Sequence, residues 1–307
     1  MYTSYQDKAE DTIAMNGRKG RTRALKVLEP FLYIAPALFF FGVFTYLPFV
    51  RTLYSSFFLV NAKGVLKRFI GLENYISVLA NGQYLKSVAN TLLFVFTSIP
   101  LSVLIALILA LIANRKTRTS SIYETLFALT MAMSMSVTAM IFQLMYNPSV
   151  GILNAALGVE IDWLNDPRYA MTALVIINVW INIGYNFIFL LAAIRGISPD
   201  LLESATLDGA GIVRKTASVI IPLISPILFF LVISDLAKNM MMSSLVLILT
   251  QGGPQDSTHT MISYMYQQAV NNQNYNDAYA SAAVSFLITF CMTAASFIFE
   301  KKKVYYS

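Results

Sequence analysis

Charge is scarce in this chain: of 307 residues only 12% are Asp, Glu, Lys or Arg, while 57% are hydrophobic. Soluble domains run near a quarter charged, so there is too little polar surface here to cover a water-facing fold. Cysteine is reduced to Cys291, which permits no internal disulfide and leaves the redox compartment unread. Its place in an apolar block makes it a small hydrophobe facing lipid or another helix. The single histidine, His259, has no Cys or carboxylate cluster around it in sequence, which argues against a metal site. No GxxxxGK[ST] run occurs, so the chain does not bind ATP by itself in the usual manner. Strict apolar–polar alternation is missing too, which removes a transmembrane β-barrel. No internal repeat or low-complexity run stands out, and no nucleophile–base or metal constellation of the kind enzymes carry.

What is present is length in the apolar blocks. Six of them lie at about 30–50, 88–113, 122–146, 169–194, 219–249 and 278–299. Each is close to the ~20 residues that cross a hydrocarbon core at 1.5 Å per residue. Backbone groups in lipid must bond internally, so the expectation is an all-α, polytopic membrane protein with six transmembrane helices. The first block follows a basic stretch, contains Pro36 and Pro48, and has no small-residue cleavage site after it. It reads as a retained span rather than a removed signal peptide. The organisation expected is a tail 1–28, a membrane domain 29–300 carrying a loop 195–222, and a tail 301–307.

The net charge of +6 does not point to nucleic acid, because the basic residues flank the apolar blocks. With six spans both termini share one side. That side collects fifteen of the 22 Lys and Arg, including Arg115, Lys116 and Arg118, the other side six, and Lys238 lies inside a span. Both termini and the 195–222 loop are therefore expected in the cytoplasm. The polar stretch 271–277 reads as an external turn. Before it, Met261, Tyr264, Met265 and Gln268 recur at helical spacing, which suggests a short helix on the outer membrane surface.

The 195–222 loop holds an acidic element that membrane insertion does not explain. Ser198 is placed to cap a helix and Pro199 takes its first position. Asp200 and Glu203 are expected in the first turn, where the helix dipole favours negative charge. Gly209 and Gly211 then end the helix and permit a sharp reversal.

Glu203-Ser204-Ala205, three residues, Gly209, nine residues, then Val219-x-Ile221-Pro222 resembles the "EAA" loop of membrane subunits of ABC importers. The family pattern is Glu-Ala-Ala, three residues, Gly, nine residues, Ile-x-Leu-Pro; here Ser, Val and Ile are near-isosteric departures. The resemblance extends to Phe31-Leu32-Tyr33-Ile34-Ala35-Pro36-Ala37, Phe69-Ile70-Gly71-Leu72-Glu73-Asn74-Tyr75, the 185–194 stretch and Leu249-Thr250-Gln251-Gly252-Gly253-Pro254. It covers nearly the whole chain and points to the carbohydrate-type branch that includes the sn-glycerol-3-phosphate and maltose-type permeases. That resemblance implies a type I ABC importer permease fold in a prokaryotic plasma membrane. An extracytoplasmic binding protein would deliver a sugar, an oligosaccharide or sn-glycerol-3-phosphate. A second permease subunit would share the path, and separate ATPase subunits would bind the ATP, so this chain needs no cofactor. Glu203, Ser204, Ala205, Asp208 and Gly209 would seat against an ATPase subunit, Glu203 meeting a basic residue and Gly209 allowing close approach. An ion-coupled secondary transporter is the competing class, but it would usually show repeated halves and more intramembrane carboxylates.

A path across lipid needs polar groups that lipid rejects. Asn178, Asn182, Tyr185 and Asn186 share one face of the fourth span at 100° per residue. The stripe suits a carbohydrate, and it equally suits hydrogen bonds between helices. Asp235 and Lys238, three apart in the fifth span, can pair on one face, with Asn239 beside them. An internal pair holding helices together is the favoured reading, a lining role the sharper one. An unpaired Lys238 would suit an anionic substrate, which Asp235 beside it argues against. The run Met131, Met133, Met135 with Ser134 and Ser136 reads as helix packing.

Overall fold

The computed structural model describes residues 31–114 and 120–303. The basic tail 1–28, the loop residues Arg115, Lys116 and Arg118, and residues 304–307 lie outside them. The chain falls into two compact units, Met1–Ser55 and Ser56–Ser307. The first contains helix α1 (Phe31–Ser55), apolar and 25 residues long, whose residues 31–41 are all exposed. Its ladder loosens into a π turn over Gly42–Tyr46 just before Pro48, which has no N–H to return to the preceding turn.

The second unit opens with a short hairpin, β1 (Phe58–Val60) and β2 (Leu66–Phe69), antiparallel with Phe58 opposite Phe69. No strand was expected. Its turn is local chemistry: Asn61 Oδ1 accepts from the N–H groups of Lys63 and Val65, and Gly64 takes φ +74°. Helix α2 (Glu73–Ala80) follows, then α3 (Gly82–Ala113), capped by Asn81. Next come α4 (Ser120–Ala132), α5 (Met135–Met145), α6 (Ile152–Leu157) and α7 (Ala170–Arg195). The remaining helices are α8 (Pro199–Leu207), α9 (Ile212–Leu223), α10 (Ser225–Met240), α11 (Met261–Tyr266) and α12 (Tyr275–Lys303).

The core is the α3–α7 pair. Ala106 and Ala110 on α3 are fully buried and let α7 approach until Phe187, Leu190 and Ile194 close against them, with Ile220, Ile224 and Leu231 sealing the far side. A second cluster joins Phe94, Phe142, Tyr146, Trp163 and Leu174.

Two apolar blocks expected as continuous spans are broken. Helices α4 and α5 meet at 105°, and α9 and α10 at 72°. At the first break Ser134 is extended (φ −72°, ψ 147°) and its hydroxyl takes the N–H of Val137, so it caps α5 instead of packing inside a helix. At the second, Pro226 stands in the first turn of α10; lacking an N–H, it cannot continue the ladder from Pro222, and the helix restarts after Ile224. α10 also ends at Met240, well short of residue 249, and the chain resumes as a π turn over Val246–Thr250. Among the described residues four helices are long and apolar enough to cross a membrane, or six if each bent pair counts as one span.

The helix expected on the membrane surface is instead internal. Met261 and Tyr264 are fully buried and Gln268 nearly so. The Tyr264 ring lies 5.3 Å from that of Tyr84, and the Met261 N–H donates to Thr91 Oγ1 of α3. Its amphipathic spacing faces protein rather than lipid.

Candidate functional site

The break between α4 and α5 and the one after α10 open onto the same space. A cavity of about 400 Å³ is lined by Thr130, Met131, Met133 and Met135 from the first, and by Met241, Met242, Ser243 and Ser244 from the second. The side of α7 supplies Asn178, Ile181, Asn182 and Tyr185, and α10 supplies Lys238 and Asn239. Non-helical backbone at membrane depth is tolerated where it is buried in protein or lines a polar cavity. That rule accounts for the two interruptions together.

The polar stripe of α7 divides between two jobs. One layer joins three helices: Asn178 Nδ2 donates to Asn239 Oδ1 at 3.2 Å, and Asn239 Nδ2 to Ser98 Oγ at 3.4 Å. About a turn away on α3 and α10 a second layer repeats the device, Asn186 Nδ2 donating to Asp235 Oδ2 at 2.9 Å and to Ser102 Oγ at 3.4 Å. Asn186 and Asp235 are fully buried and do not line the cavity. Asn178 and Asn239 serve a layer and also reach the cavity wall. Asn182, bonded to the Asn178 carbonyl at 2.8 Å, and Tyr185 are half-buried and face it.

The expected Asp235–Lys238 pair does not form among the described residues. Asp235 is drawn to Asn186, while exposed Lys238 places Nζ 4.0 Å from the Tyr185 ring centroid, a cation–π contact. Spacing permits the pair; the donor from α7 wins Asp235 because it satisfies a carboxylate already out of solvent.

The expected acidic element is α8. Pro199 takes its first turn and Asp200 lies there as expected; Glu203 falls beyond it, and Ser198 holds the cap position without a side-chain bond. The end is a Schellman closure: Gly209 N–H donates to the Thr206 carbonyl and Ala210 N–H to the Ala205 carbonyl, both 3.0 Å, with Gly209 at φ +77°. A residue with a Cβ is disfavoured there. Glu203, Ser204, Asp208 and Gly209 are exposed and Ala205 half-buried. Around them Leu207, Ile212 and Val213 are open to the extent of 90%, 72% and 82%. Three large apolar side chains this open, within a few residues of Asp200, Glu203 and Asp208, suit a surface that a partner covers.

Residues 74–302 match the model of the binding-protein-dependent transport system inner membrane component family. The chain belongs to that family. It is a non-catalytic permease subunit of an ABC importer, held in the membrane by several spans. It is 31% identical over 281 residues to the sn-glycerol-3-phosphate transport system permease protein UgpA of Agrobacterium fabrum, covering 90% of this chain and 96% of the relative. The protein of the same name from Yersinia enterocolitica is 32% identical over 281 residues, covering 90% and 95%. In fold it matches a chain of a bacterial alginate ABC transporter, crystallised with an alginate pentasaccharide-bound periplasmic protein, with a TM-score of 0.78. That match is 20% identical and covers 91% of this permease and 98% of the other chain. The type I permease fold expected from the sequence is thereby the observed one.

Several residues of the permease that shape these surfaces escaped the sequence. Thr130, Ser243 and Ser244 line the cavity, and their signal was faint: small hydroxyls beside a methionine run. Arg195, counted only for topology, bonds Glu124 of α4 at 2.7 Å and fastens the α8 end of α7 to its neighbour.

At the opposite end of α3 the loop after the π turn folds back on itself. The chain enters through Gln251 (φ 52°) and Gly252 (φ 91°), and Gly253–Pro254 is cis. Lys86 Nζ donates to the Gln255 carbonyl, and Asn90 Nδ2 to the carbonyls of Asp256 and His259. His259 is buried, its Nδ1 3.2 Å from Ser263 Oγ and its Nε2 3.6 Å from Asp256 Oδ1. Its ring lies against Gly252, where a Cβ would come within 2.2 Å of Cε1 and Nε2. Gly252→Ala is therefore expected to dislodge His259 and free the loop, seen as faster amide exchange over 250–260.

Burial holds the His259 pKa below its ordinary value, with Asp256 opposing weakly. The folded loop thus prefers the neutral ring, and the unfolded one protonates more readily. Its stability is complete above about pH 6.5 and declines as pH falls below that, until the folded ring also takes its proton. Amide protection factors in this loop, which take out the intrinsic pH dependence of exchange, should fall between about pH 7 and 5, and His259→Gln should flatten the profile.

Proposed function

We propose that the cavity is this chain's share of a translocation path for a carbohydrate or phosphorylated polyol, completed by a second permease subunit. The observation that carries the reading is the meeting of two helix interruptions at one cavity lined by amides, hydroxyls and an aromatic ring. These groups bind polyhydroxylated solutes, and lipid would reject them. In this reading Asn178, Asn182, Tyr185, Lys238 and Asn239 touch the passing solute, and Asn186 and Asp235 hold the walls. The relatives' names, one a glycerol phosphate system and one an importer of an acidic polysaccharide, favour a polyhydroxylated cargo handed over by a binding protein.

The exposed helix α8 is the ATPase dock. Leu207, Ile212 and Val213 supply apolar area, Glu203 meets a cation, and Gly209 gives the turn its shape. The positive-inside count supports a cytoplasmic side for this helix and both termini. Only Gly196, Ile197 and Ser198 separate it from α7, so a push on α8 is passed to the cavity wall.

The test is reconstitution of the chain with its sister permease, ATPase and binding protein. Asn182→Leu is expected to lower ATP-driven uptake about tenfold without loss of assembly, and unchanged uptake would remove the stripe from the path. Glu203→Lys should cut co-purifying ATPase about tenfold while membrane insertion stays normal. Full coupling in that variant would dismiss α8 as the dock.

A further inference from the structure

We propose that Lys238 is a specificity-determining residue that selects cargo bearing an acidic group, a carboxylate or a phosphate, on its polyhydroxylated frame. The inference rests on the path reading above.

The argument is one of charge placement. Fourteen residues line the 400 Å³ cavity, and Lys238 is the one among them that carries charge; no Asp or Glu shares the wall. The acid that sequence spacing offers as its counter-ion, Asp235, is buried outside the cavity wall and bonds Asn186; it attracts Lys238 from there but makes no ion pair with it. Ion pairs among the described residues are Arg168–Asp166, Arg195–Glu124 and His259–Asp256, and none reaches the cavity.

What Lys238 has is the face of Tyr185, with Nζ 4.0 Å from its centroid. A cation–π contact steadies an ammonium but gives its three N–H donors no oxygen to bond. The stem is therefore held in place while the head stays available. A cation without a bonded carboxylate at membrane depth is costly, and its attraction for an anion grows as the surroundings exclude water. A neutral solute entering the cavity leaves that cost standing. One with a carboxylate or phosphate removes it, while Asn182 and the Ser243 and Ser244 hydroxyls remain for its hydroxyl groups.

The experiment uses the complete transporter in proteoliposomes and two matched pairs of solutes. The first is glycerol with sn-glycerol-3-phosphate, the second a neutral oligosaccharide with a uronate oligosaccharide of the same length. The wild type is expected to favour the acidic member of at least one pair, and the responding pair identifies phosphate or carboxylate. Lys238→Gln should lower the acidic-to-neutral uptake ratio roughly tenfold, and Lys238→Arg should restore most of it. A wild-type preference for the neutral member of both pairs overturns the proposal. So does a ratio unmoved by Lys238→Gln, the result if a carboxylate of the second permease subunit already neutralises the amine. In either case ATP-driven uptake of a neutral solute leaves the path reading intact. An assembled complex with no ATP-driven uptake of any of the four removes both.

Discussion

Gly184→Ala is expected to destabilise the membrane domain by about 3 kcal/mol, at the upper end for a single added methyl in a packed core. Gly184 sits on α7 where α4 crosses it. A Cβ there would stand 2.0 Å from Thr130 Oγ1 and 2.3 Å from the Phe127 carbonyl oxygen. The threonine could rotate, but its hydroxyl is committed to that same carbonyl at 2.8 Å, and the carbonyl is backbone. The helices would have to part, pulling Thr130 from the cavity wall. Thermal unfolding in detergent, read by size-exclusion of the complex, gives the measurement. Gly82→Ala is the control, since nothing lies within 4 Å of a Cβ at that helix start. Equal melting of the two variants would show that α4 and α7 are not clamped as described.

Asn186→Leu should be nearly as damaging, by about 2–3 kcal/mol, because it strips a buried carboxylate of its amide donor. Asp235 is fully buried; Oδ2 takes the Asn186 amide, and Oδ1 has no hydrogen-bond partner among the described residues. The Asn186 Oδ1 acceptor is unpaired as well, and without the Asn186 amide the carboxylate is left with the Ser102 hydroxyl. Removing both polar groups together is a different perturbation: Asn186→Leu with Asp235→Leu replaces an exacting pair by apolar bulk. The double variant is expected to recover much of the lost melting temperature. Additive losses would mean that the two side chains do not act as a unit.

The sequence is most legible where the physics is local. Pro199 and Gly209 mark the ends of α8 because proline and left-handed glycine act within a turn of themselves. Block length alone located most of the spans. The interruptions were harder. Ser134 in a run of methionines carries no periodicity signal, and its capping role depends on where α5 points. Pro226 was a legible stop, but it lay inside a block whose hydropathy overrode it. Asn178, Asn182, Tyr185 and Asn186 were legible as a stripe. Which of them bonds α3 and α10, and which faces the cavity, depends on partners 49 to 84 residues away in the chain. The fate of Asp235 and Lys238 shows the same limit, since helical spacing offers a partner without deciding which partner is taken. The burial of α11 was missed because a helix against protein and one against lipid have the same amphipathic spacing.

Five of the cavity's walls are thioethers: Met131, Met133, Met135, Met241 and Met242. Unbranched and polarisable, they can re-pose around cargo of different girth, so the pore itself would be a poor gauge of size. In the proposed path they would also be a redox liability. Sulfoxidation would turn soft apolar walls into fixed dipoles, and a cell under peroxide stress would find its intake throttled at this point, until reductases restored the sulfur.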